Sequence, residues 1–506
     1  MEKEPLKREI IRNIIWNTSF MFLNRLGALI FTIIIARFLM PELFGVYSLA
    51  TTIALIFITF ADLGINRTMM RYVSSEIEKN KKKAMAYFRY TLKLKLILSF
   101  FLSFLLIILA YPFAFFIFKN QQLFSLLLLL SIYTFLLALE SFYEFIFYIK
   151  KRVNYLTTKE AIFQSTRILI ALFVFLFLAA SFYLFGVIIS LILAVLFSFL
   201  FILYKIKKIE PAFFKKTKEK INKKRVLKFL SFLTIGSLST VFFSYTDIVM
   251  LGIFLPEIYV GYYKVAFTLI VSIASFLAFQ KILLPVFTQA RKGKIEEIFN
   301  KSLKYVLALT IPSSFGIIIL AKYLVRFLFG YEYLPATLPL FFLSFLIILF
   351  TTTTLFFILS SAREKPKEFA KFILIVTFLN IFLNYLFIVI LMKKSYLWAT
   401  TGAAIATLIS QVIYFVLVFI FSKKELNIKA DWKLIIKPLF ASLVMAYLLY
   451  GFDYFIHDFN LFIGILIVLF GILIYVAVMI LIKGIDIKDF KVLKSAFNEK
   501  LLGIYR

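Results

Sequence analysis

Charged side chains interrupt several long apolar stretches of this chain, and they are the residues most able to do chemistry. Arg25 lies about eleven residues into such a stretch, ~16 Å at 1.5 Å per residue, and Arg167 lies at a similar depth in another. Neither arginine has a carboxylate within one helical turn. A guanidinium stays charged and binds phosphate oxygens in pairs. Arg25 and Arg167, with Asn24 beside Arg25, therefore form a candidate site for an anionic group.

Two carboxylates, Glu140 and Glu144, lie one turn apart on a helical face that they share with Tyr133 and Tyr148. This polar stripe could relay protons or contact sugar hydroxyls. An ion pair with Arg167 that locks two neighbouring helices together is the structural alternative, and the sequence leaves both interpretations open.

Asp247 and Lys264 form a second pair of buried charges, at similar depths in two consecutive apolar stretches. A salt bridge between them is the simplest interpretation. In the alternative interpretation, Asp247 is a cation or proton site and Lys264 is a further phosphate contact. Each is a functional candidate, because a charge near the centre of a bilayer costs at least ~2.5–3.5 kcal/mol unless it faces protein or water.

The elements that must hold these residues are membrane-spanning helices. Of the 506 residues, 63% are apolar and 17% are charged, which excludes a soluble globular protein. The predicted fold is an all-α integral membrane protein with fourteen transmembrane helices. The predicted spans lie near 14–36, 43–63, 89–112, 123–149, 157–179, 181–204, 228–251, 258–284, 303–325, 334–360, 370–391, 399–421, 434–455 and 460–482.

Lysine and arginine set the predicted orientation. Starting with the N-terminal tail, alternate segments carry 46 of these residues, whereas the segments between them carry six. The positive-inside rule then places both termini in the cytoplasm, in a multi-pass protein of the cell membrane. The net charge of +32 is spread over many short loops, so no nucleic-acid partner is expected.

An internal repeat divides the chain. Pro41 and Glu42 match Pro256 and Glu257, and the matches continue with Gly45 and Gly261, Tyr47 and Tyr263, and Ala50 and Ala266. Parallel repeats predict two pseudo-symmetric six-helix bundles, which suit transport by alternating access. The predicted parts are an N-terminal lobe (1–204), a basic cytoplasmic linker (205–228), a C-terminal lobe (229–422), two appended helices (431–483) and a cytoplasmic tail (484–506).

The basic linker obeys the positive-inside rule, and it could also contact anionic lipid headgroups. The tail could lie on the same membrane surface as an amphipathic helix.

Several kinds of chemistry are excluded by missing residues. The chain has no cysteine and one histidine, His457, so neither a metal site nor a cysteine or histidine catalytic site is expected. It has no nucleotide-binding P-loop and no nucleophile elbow. No cofactor is expected, and any work must come from an ion gradient, the membrane potential or the gradient of a substrate.

Two segments resemble a known family. Residues 36–72, ARFLMPELFGVYSLATTIALIFITFADLGINRTMMRY, are similar to the first hairpin of polysaccharide-type flippases. Residues 378–411, FLNIFLNYLFIVILMKKSYLWATTGAAIATLISQ, are similar to the same family's region of spans eleven and twelve. The resemblance is to the oligosaccharide flippase branch of the multidrug/oligosaccharidyl-lipid/polysaccharide exporter superfamily.

This resemblance implies a membrane transporter, not an enzyme, that flips an oligosaccharide carried on a polyprenyl pyrophosphate from the cytoplasmic to the outer leaflet. It implies a cationic cavity to which Arg25 and Lys264 contribute. Expected partners are the lipid-linked oligosaccharide, membrane lipids, and a polysaccharide polymerase or glycosyltransferases. Alternatives are a peptidoglycan-precursor flippase and a cation-coupled multidrug exporter of the same fold. A membrane glycosyltransferase or ligase is less consistent with the short outer loops.

Overall fold

The chain is helical throughout the part that the structure describes. The computed structural model describes residues 3–215, 217, 219–277, 283–289, 294–363, 365, 367–426, 428–453 and 461–484. Within these residues the α-helices are α1 (Lys3–Phe60), α2 (Ile65–Glu76), α3 (Lys81–Pro112), α4 (Gln121–Ile149), α5 (Val153–Phe177), α6 (Tyr183–Ile209), α7 (Lys223–Phe254), α8 (Glu257–Phe276), α9 (Leu284–Gln289), α10 (Ile295–Phe329), α11 (Thr337–Ser344), α12 (Leu346–Ala362), α13 (Lys367–Met392), α14 (Tyr396–Glu425), α15 (Lys433–Asp453) and α16 (Leu461–Leu481).

Twelve segments of the described residues are long and apolar enough to cross a membrane. The first, Trp16–Glu76, counts once although its 61 residues exceed the ~20 that one crossing needs. Helix α7 is counted only as the shorter apolar segment Phe243–Phe254. The all-α membrane fold predicted from the sequence is confirmed, and the number of fourteen spans stays a prediction.

Helix α1 contains the predicted turn between spans one and two. Met40 has non-helical backbone angles, with φ at 58°, and Pro41 follows it directly. Proline lacks the backbone N–H that would continue the preceding helix, and it fits the first turn of a new one. The chain therefore forms two helical parts, 3–39 and 41–60, as the hairpin prediction required.

The structure divides into two compact units. One comprises Met1–Ser272 with Lys367–Tyr414, and in it α5 packs against α1 and α6, α3 and α6 pack against α4, and α7 packs against α13. The other comprises Ile273–Pro366 with Phe415–Arg506, and in it α10 packs against α12 and α15, and α15 packs against α16. The lobe boundaries predicted from the repeat stay a prediction. His457 and residues 485–506 of the tail lie outside the described residues.

The two copies of the repeat meet at their glycines. A side chain at Gly45 would clash with the carbonyl oxygen of Glu257, and one at Gly261 would clash with the carbonyl oxygen of Pro41. Gly45 thus lies against the backbone of Glu257, one helical turn before Gly261. Gly261 in the same way lies against the backbone of Pro41, one helical turn before Gly45. Such a reciprocal contact is what a local twofold relationship between the two segments produces. The observation supports the repeat, and it explains why glycine is needed at both positions.

The start of the predicted linker is attached to the helices of the first unit. Glu210 lies 2.6 Å from Lys81 and also pairs with Lys150. Burial alone would raise the pKa of Glu210, but hydrogen bonds from the two lysines outweigh it and lower the pKa below its ordinary value. Buried Phe213 packs edge-on against Phe88. This part of the linker is therefore a fixed element and not a free tether.

The glycine contact can be tested by adding one methyl group. Gly45→Ala or Gly261→Ala should lower the thermal unfolding temperature of the purified protein, because backbone atoms cannot move aside as a flexible side chain can. Gly316→Ala in α10 is the matched control, since a Cβ there would meet no atom within 4 Å. Equal unfolding temperatures for all three variants would contradict the close contact.

Candidate functional site

One lysine lies among three glutamates in the first unit, and we call these four residues the Lys159 cluster. The Nζ atom of Lys159 lies 3.2 Å from Oε1 of Glu140, 3.2 Å from Oε2 of Glu144 and 3.6 Å from Oε2 of Glu160. Ser198 of α6 donates a further hydrogen bond of 2.6 Å to Glu140. The cluster thus joins α4, α5 and α6. Its ammonium and hydroxyl donors lower the cost of burying these carboxylates.

Arg167 contacts a glutamine and two aromatic rings, whereas the ion-pair interpretation placed it beside a glutamate. Its Nη2 atom donates to the side-chain oxygen of Gln164, and the guanidinium stacks on Phe31, 4.4 Å from the ring centre, and on Phe163, at 5.0 Å. Its Nε–H is buried and has no hydrogen-bond partner among the residues that the structure describes. Of the two interpretations left open by the sequence, the ion pair of Glu140 or Glu144 with Arg167 is not formed among the described residues, because Lys159 pairs with both glutamates.

Asn24 belongs to the contact between α1 and α5. Its side-chain amide donates a 2.9 Å hydrogen bond to Oε1 of Glu160. The structure therefore uses the amide of Asn24 to hold two helices together, and its predicted role in substrate binding stays a prediction.

Arg25 and Lys264 are the two predicted cations that lack a partner. Both side chains are partly buried. No hydrogen bond or ion pair joins either of them to a residue that the structure describes. An unpaired cation within a membrane helix is costly, so these two side chains are suited to an anionic ligand.

Asp247 of α7 is buried, with 6% of its surface exposed, and only neutral groups bind it among the described residues. Thr407 donates to both carboxylate oxygens, at 2.8 and 2.7 Å, and Asn384 donates at 2.8 Å. The hydroxyl of Tyr263 is the third donor, and it makes the fourth hydrogen bond. The predicted salt bridge between Asp247 and Lys264 is wrong, because these neutral donors take its place.

Two amide oxygens beside this carboxylate are unused. The Oδ1 atoms of Asn380 and Asn384 are buried and accept no hydrogen bond in the described structure. The amide nitrogen of Asn380 donates to Thr407, whose hydroxyl in turn donates to Asp247. A carboxylate, hydroxyls and free amide oxygens form a set of ligands that hard cations prefer. The arrangement can bind a cation, or Asp247 can take up a proton.

Sequence reasoning missed Lys159, Gln164 and Thr407 as parts of these networks. Lys159 lies seven residues after Arg152, the last residue of the basic loop 150–152, so in the sequence it looks like one more loop cation. Thr407 lies in an apolar run of small residues, where a hydroxyl gives no signal of its own. Asn380 and Asn384, spaced i, i+4 on α13, form interhelical hydrogen bonds to Thr407 and Asp247.

Solved structures of membrane transporters share this fold. The lipid II flippase MurJ, in an inward closed conformation, aligns with a TM-score of 0.76 and 19% identity, over 93% of this chain and 99% of that chain. An inward-facing multidrug resistance MATE family transporter of the MOP superfamily aligns with a TM-score of 0.59 and 16% identity, over 82% of this chain and 99% of that chain. At these identities the likeness shows a shared fold.

The sequence comparison identifies the family more closely. Residues 10–291, more than half of the chain, match the polysaccharide biosynthesis protein family, and the chain belongs to that family. It is also 26% identical over 238 residues to the probable low-salt glycan biosynthesis flippase Agl15 of Haloferax volcanii. That match covers 46% of this chain and 48% of Agl15, so the chain spans about half the length of this relative. The resemblance to the polysaccharide flippase branch is confirmed.

The Lys159 cluster gives a test of how the membrane helices are held together. Lys159→Met should destabilise the protein by about 3–5 kcal/mol, because it leaves buried carboxylates without a counter-charge. Glu140→Gln and Glu144→Gln in the same chain should restore most of the loss. Thermal unfolding of the purified variants measures both effects.

Lys371→Met is the control, since its exposed pair with Glu368 contributes at most about 1 kcal/mol. A Lys159→Met variant as stable as this control would show that Lys159 does not hold the helices together.

Proposed function

We propose that the protein is a flippase, and that it moves an oligosaccharide carried on polyprenyl pyrophosphate from the cytoplasmic to the outer leaflet by alternating access. Its family and its similarity to the glycan flippase Agl15 support the class of activity. The observation that carries the proposal is the pair of cations, Arg25 and Lys264, that have no partner in the described structure.

The chemistry of these cations fits a diphosphate headgroup. Each phosphate of a pyrophosphate diester carries a negative charge, so the headgroup offers two anions to two unpaired cations. Arg25 binds phosphate oxygens through a planar fork of N–H donors, whereas Lys264 acts as a point charge. A hydrophobic drug offers no such charge, and a cationic drug would be repelled.

The energetics favour export of such a substrate. The polyprenyl tail can stay in lipid while the headgroup crosses between the helices. We place both termini in the cytoplasm, following the distribution of lysine and arginine. An inside-negative potential then favours outward movement of the headgroup by ~2.3 kcal/mol per charge per 100 mV, if the charge crosses the full field.

We assign the coupling role to Asp247 and a charge-pairing role to Glu140 and Glu144. Both glutamates already pair with Lys159, whereas within the described residues Asp247 has only neutral donors and two unused amide oxygens nearby. In this proposal a monovalent cation or a proton binds at Asp247.

We place the flippase in the cell membrane, between the glycosyltransferases that assemble the lipid-linked oligosaccharide and the polymerase or transferase that uses it. The basic linker 205–228 faces anionic lipid headgroups in this arrangement.

The first test is leaflet transfer in proteoliposomes. A fluorescent polyprenyl-pyrophosphate oligosaccharide and a membrane-impermeant quencher report transfer with and without an inside-negative potential. Arg25→Ala should slow transfer roughly 10–100-fold, because a hydrogen bond to a charged group contributes about 1.5–3 kcal/mol. Arg25→Lys should retain part of the activity, and Lys79→Ala, on an exposed loop, should retain all of it.

Full activity of Arg25→Ala would remove Arg25 from the site. Efflux of a cationic dye without lipid transfer would support a multidrug exporter. Preferential transfer of a peptidoglycan precursor would favour that substrate class, and formation of glycosidic bonds by the pure protein would overturn the transport proposal.

The coupling role of Asp247 is tested by ligand-dependent stability. If the cation binds the folded protein, Na⁺ in place of choline should raise the thermal unfolding temperature of the wild type, and Asp247→Asn should abolish this rise. If the ligand is a proton, the unfolding temperature of the wild type should change with pH and not with Na⁺. The absence of both effects in the wild type, or the same effects in Asp247→Asn, would overturn the assignment.

A further inference from the structure

Gln164 of α5 contacts both Arg167 and the backbone of Asn24, the residue that precedes Arg25. It is buried, with 6% of its surface exposed. Its amide nitrogen donates to Oε1 of Glu160 at 2.6 Å and to the backbone oxygen of Asn24 at 3.4 Å, and its amide oxygen accepts from Arg167. Because two acceptors face the nitrogen, the oxygen must face the guanidinium. The orientation of this amide is therefore determined by its surroundings.

The same side chain contacts the part of α1 that carries Arg25. Asn24 precedes Arg25 in the chain and is held from α5 twice, through its backbone by Gln164 and through its side chain by Glu160. Gly27 makes room for this arrangement, because a Cβ there would collide with the side chain of Gln164. Gln164 thus fills the space that Gly27 leaves.

Arg167 is held on its other sides by aromatic rings. Phe31 and Phe163 stack on the guanidinium, and the buried Nε–H has no acceptor in the described structure. Gln164 accepts the one hydrogen bond that Arg167 donates within the described structure. A buried donor that lacks an acceptor indicates that an anionic ligand can complete the site.

We infer that Gln164 is a positioning residue that holds Arg167 in a fixed relation to Arg25, so that both arginines act on one diphosphate headgroup. This inference rests on the proposed function and specifies its substrate class. A headgroup with two phosphates engages both arginines, whereas a single phosphate engages one. The fixed relation therefore selects a pyrophosphate-linked lipid over a monophosphate-linked lipid with the same glycan.

The test compares the two lipids in proteoliposomes. Gln164→Met keeps the size of the side chain and removes its hydrogen bonds. It should raise the apparent KM for the pyrophosphate-linked lipid at least about tenfold, the effect of losing one charge-assisted contact. The apparent KM for the monophosphate-linked lipid should change less than about twofold. An equal change for both lipids, or no change, would overturn the inference.

Thr157→Val is the matched control. Thr157 also joins α5 to α1, through a 3.0 Å hydrogen bond to the backbone oxygen of Trp16, but it contacts neither arginine. If Gln164 only held the two helices together, both variants would change transport alike. Gly27→Ala is the second variant, because it displaces the amide of Gln164 without removing it, and it should show the same loss of selectivity.

Binding of inorganic ions to the purified protein separates this inference from the proposed function. Wild-type protein should bind inorganic pyrophosphate more tightly than inorganic phosphate, as measured by calorimetry, and Gln164→Met should lose this preference. If the wild type shows the preference but transfers no lipid, the flippase proposal fails and the positioning role stands. If it transfers lipid but Gln164→Met keeps the preference, the positioning role fails alone.

Discussion

An ionised side chain inside a membrane must find a counter-charge, hydrogen-bond donors or water, and the internal organisation of this protein follows from that requirement. Lys95 is fully buried and meets Asp62 at 3.3 Å, and Lys159 meets three glutamates. Asp247 instead receives hydrogen bonds from neutral groups. The contacts of Lys159 and Asp247 join two or more helices, and that of Lys95 joins α3 to the turn between α1 and α2, so neutralising the charges also holds the helices in place.

Two cations within the described residues are exceptions to this rule. Arg25 and Lys264 have no partner among the described residues, although each lies in a predicted span. Selection for stability alone would remove or pair such charges, because they lower the stability of the empty protein. Their presence is explained if a ligand with negative charge meets them during transport. In the proposed function, binding of the headgroup then offsets the free energy that the unpaired charges cost the empty protein.

The repeat adds a second constraint at its glycine contact. Tyr47 and Tyr263 follow the two contacting glycines by two residues each. Both tyrosines are buried, and the hydroxyl of Tyr263 donates a hydrogen bond to the buried carboxylate of Asp247. The close contact between the two segments therefore also positions a donor to Asp247.

The sequence by itself determined the helices, the membrane environment, the hairpin at Pro41 and the family, because apolar length, proline and short motifs act locally along the chain. The sequence also showed which charged side chains lie within predicted membrane helices and therefore need a partner. Only the tertiary structure decided their partners: Lys159 rather than Arg167 for Glu140, and Thr407 rather than Lys264 for Asp247. A partner depends on how the helices are rotated and packed against one another, and residues far apart in the chain then compete for the same charge.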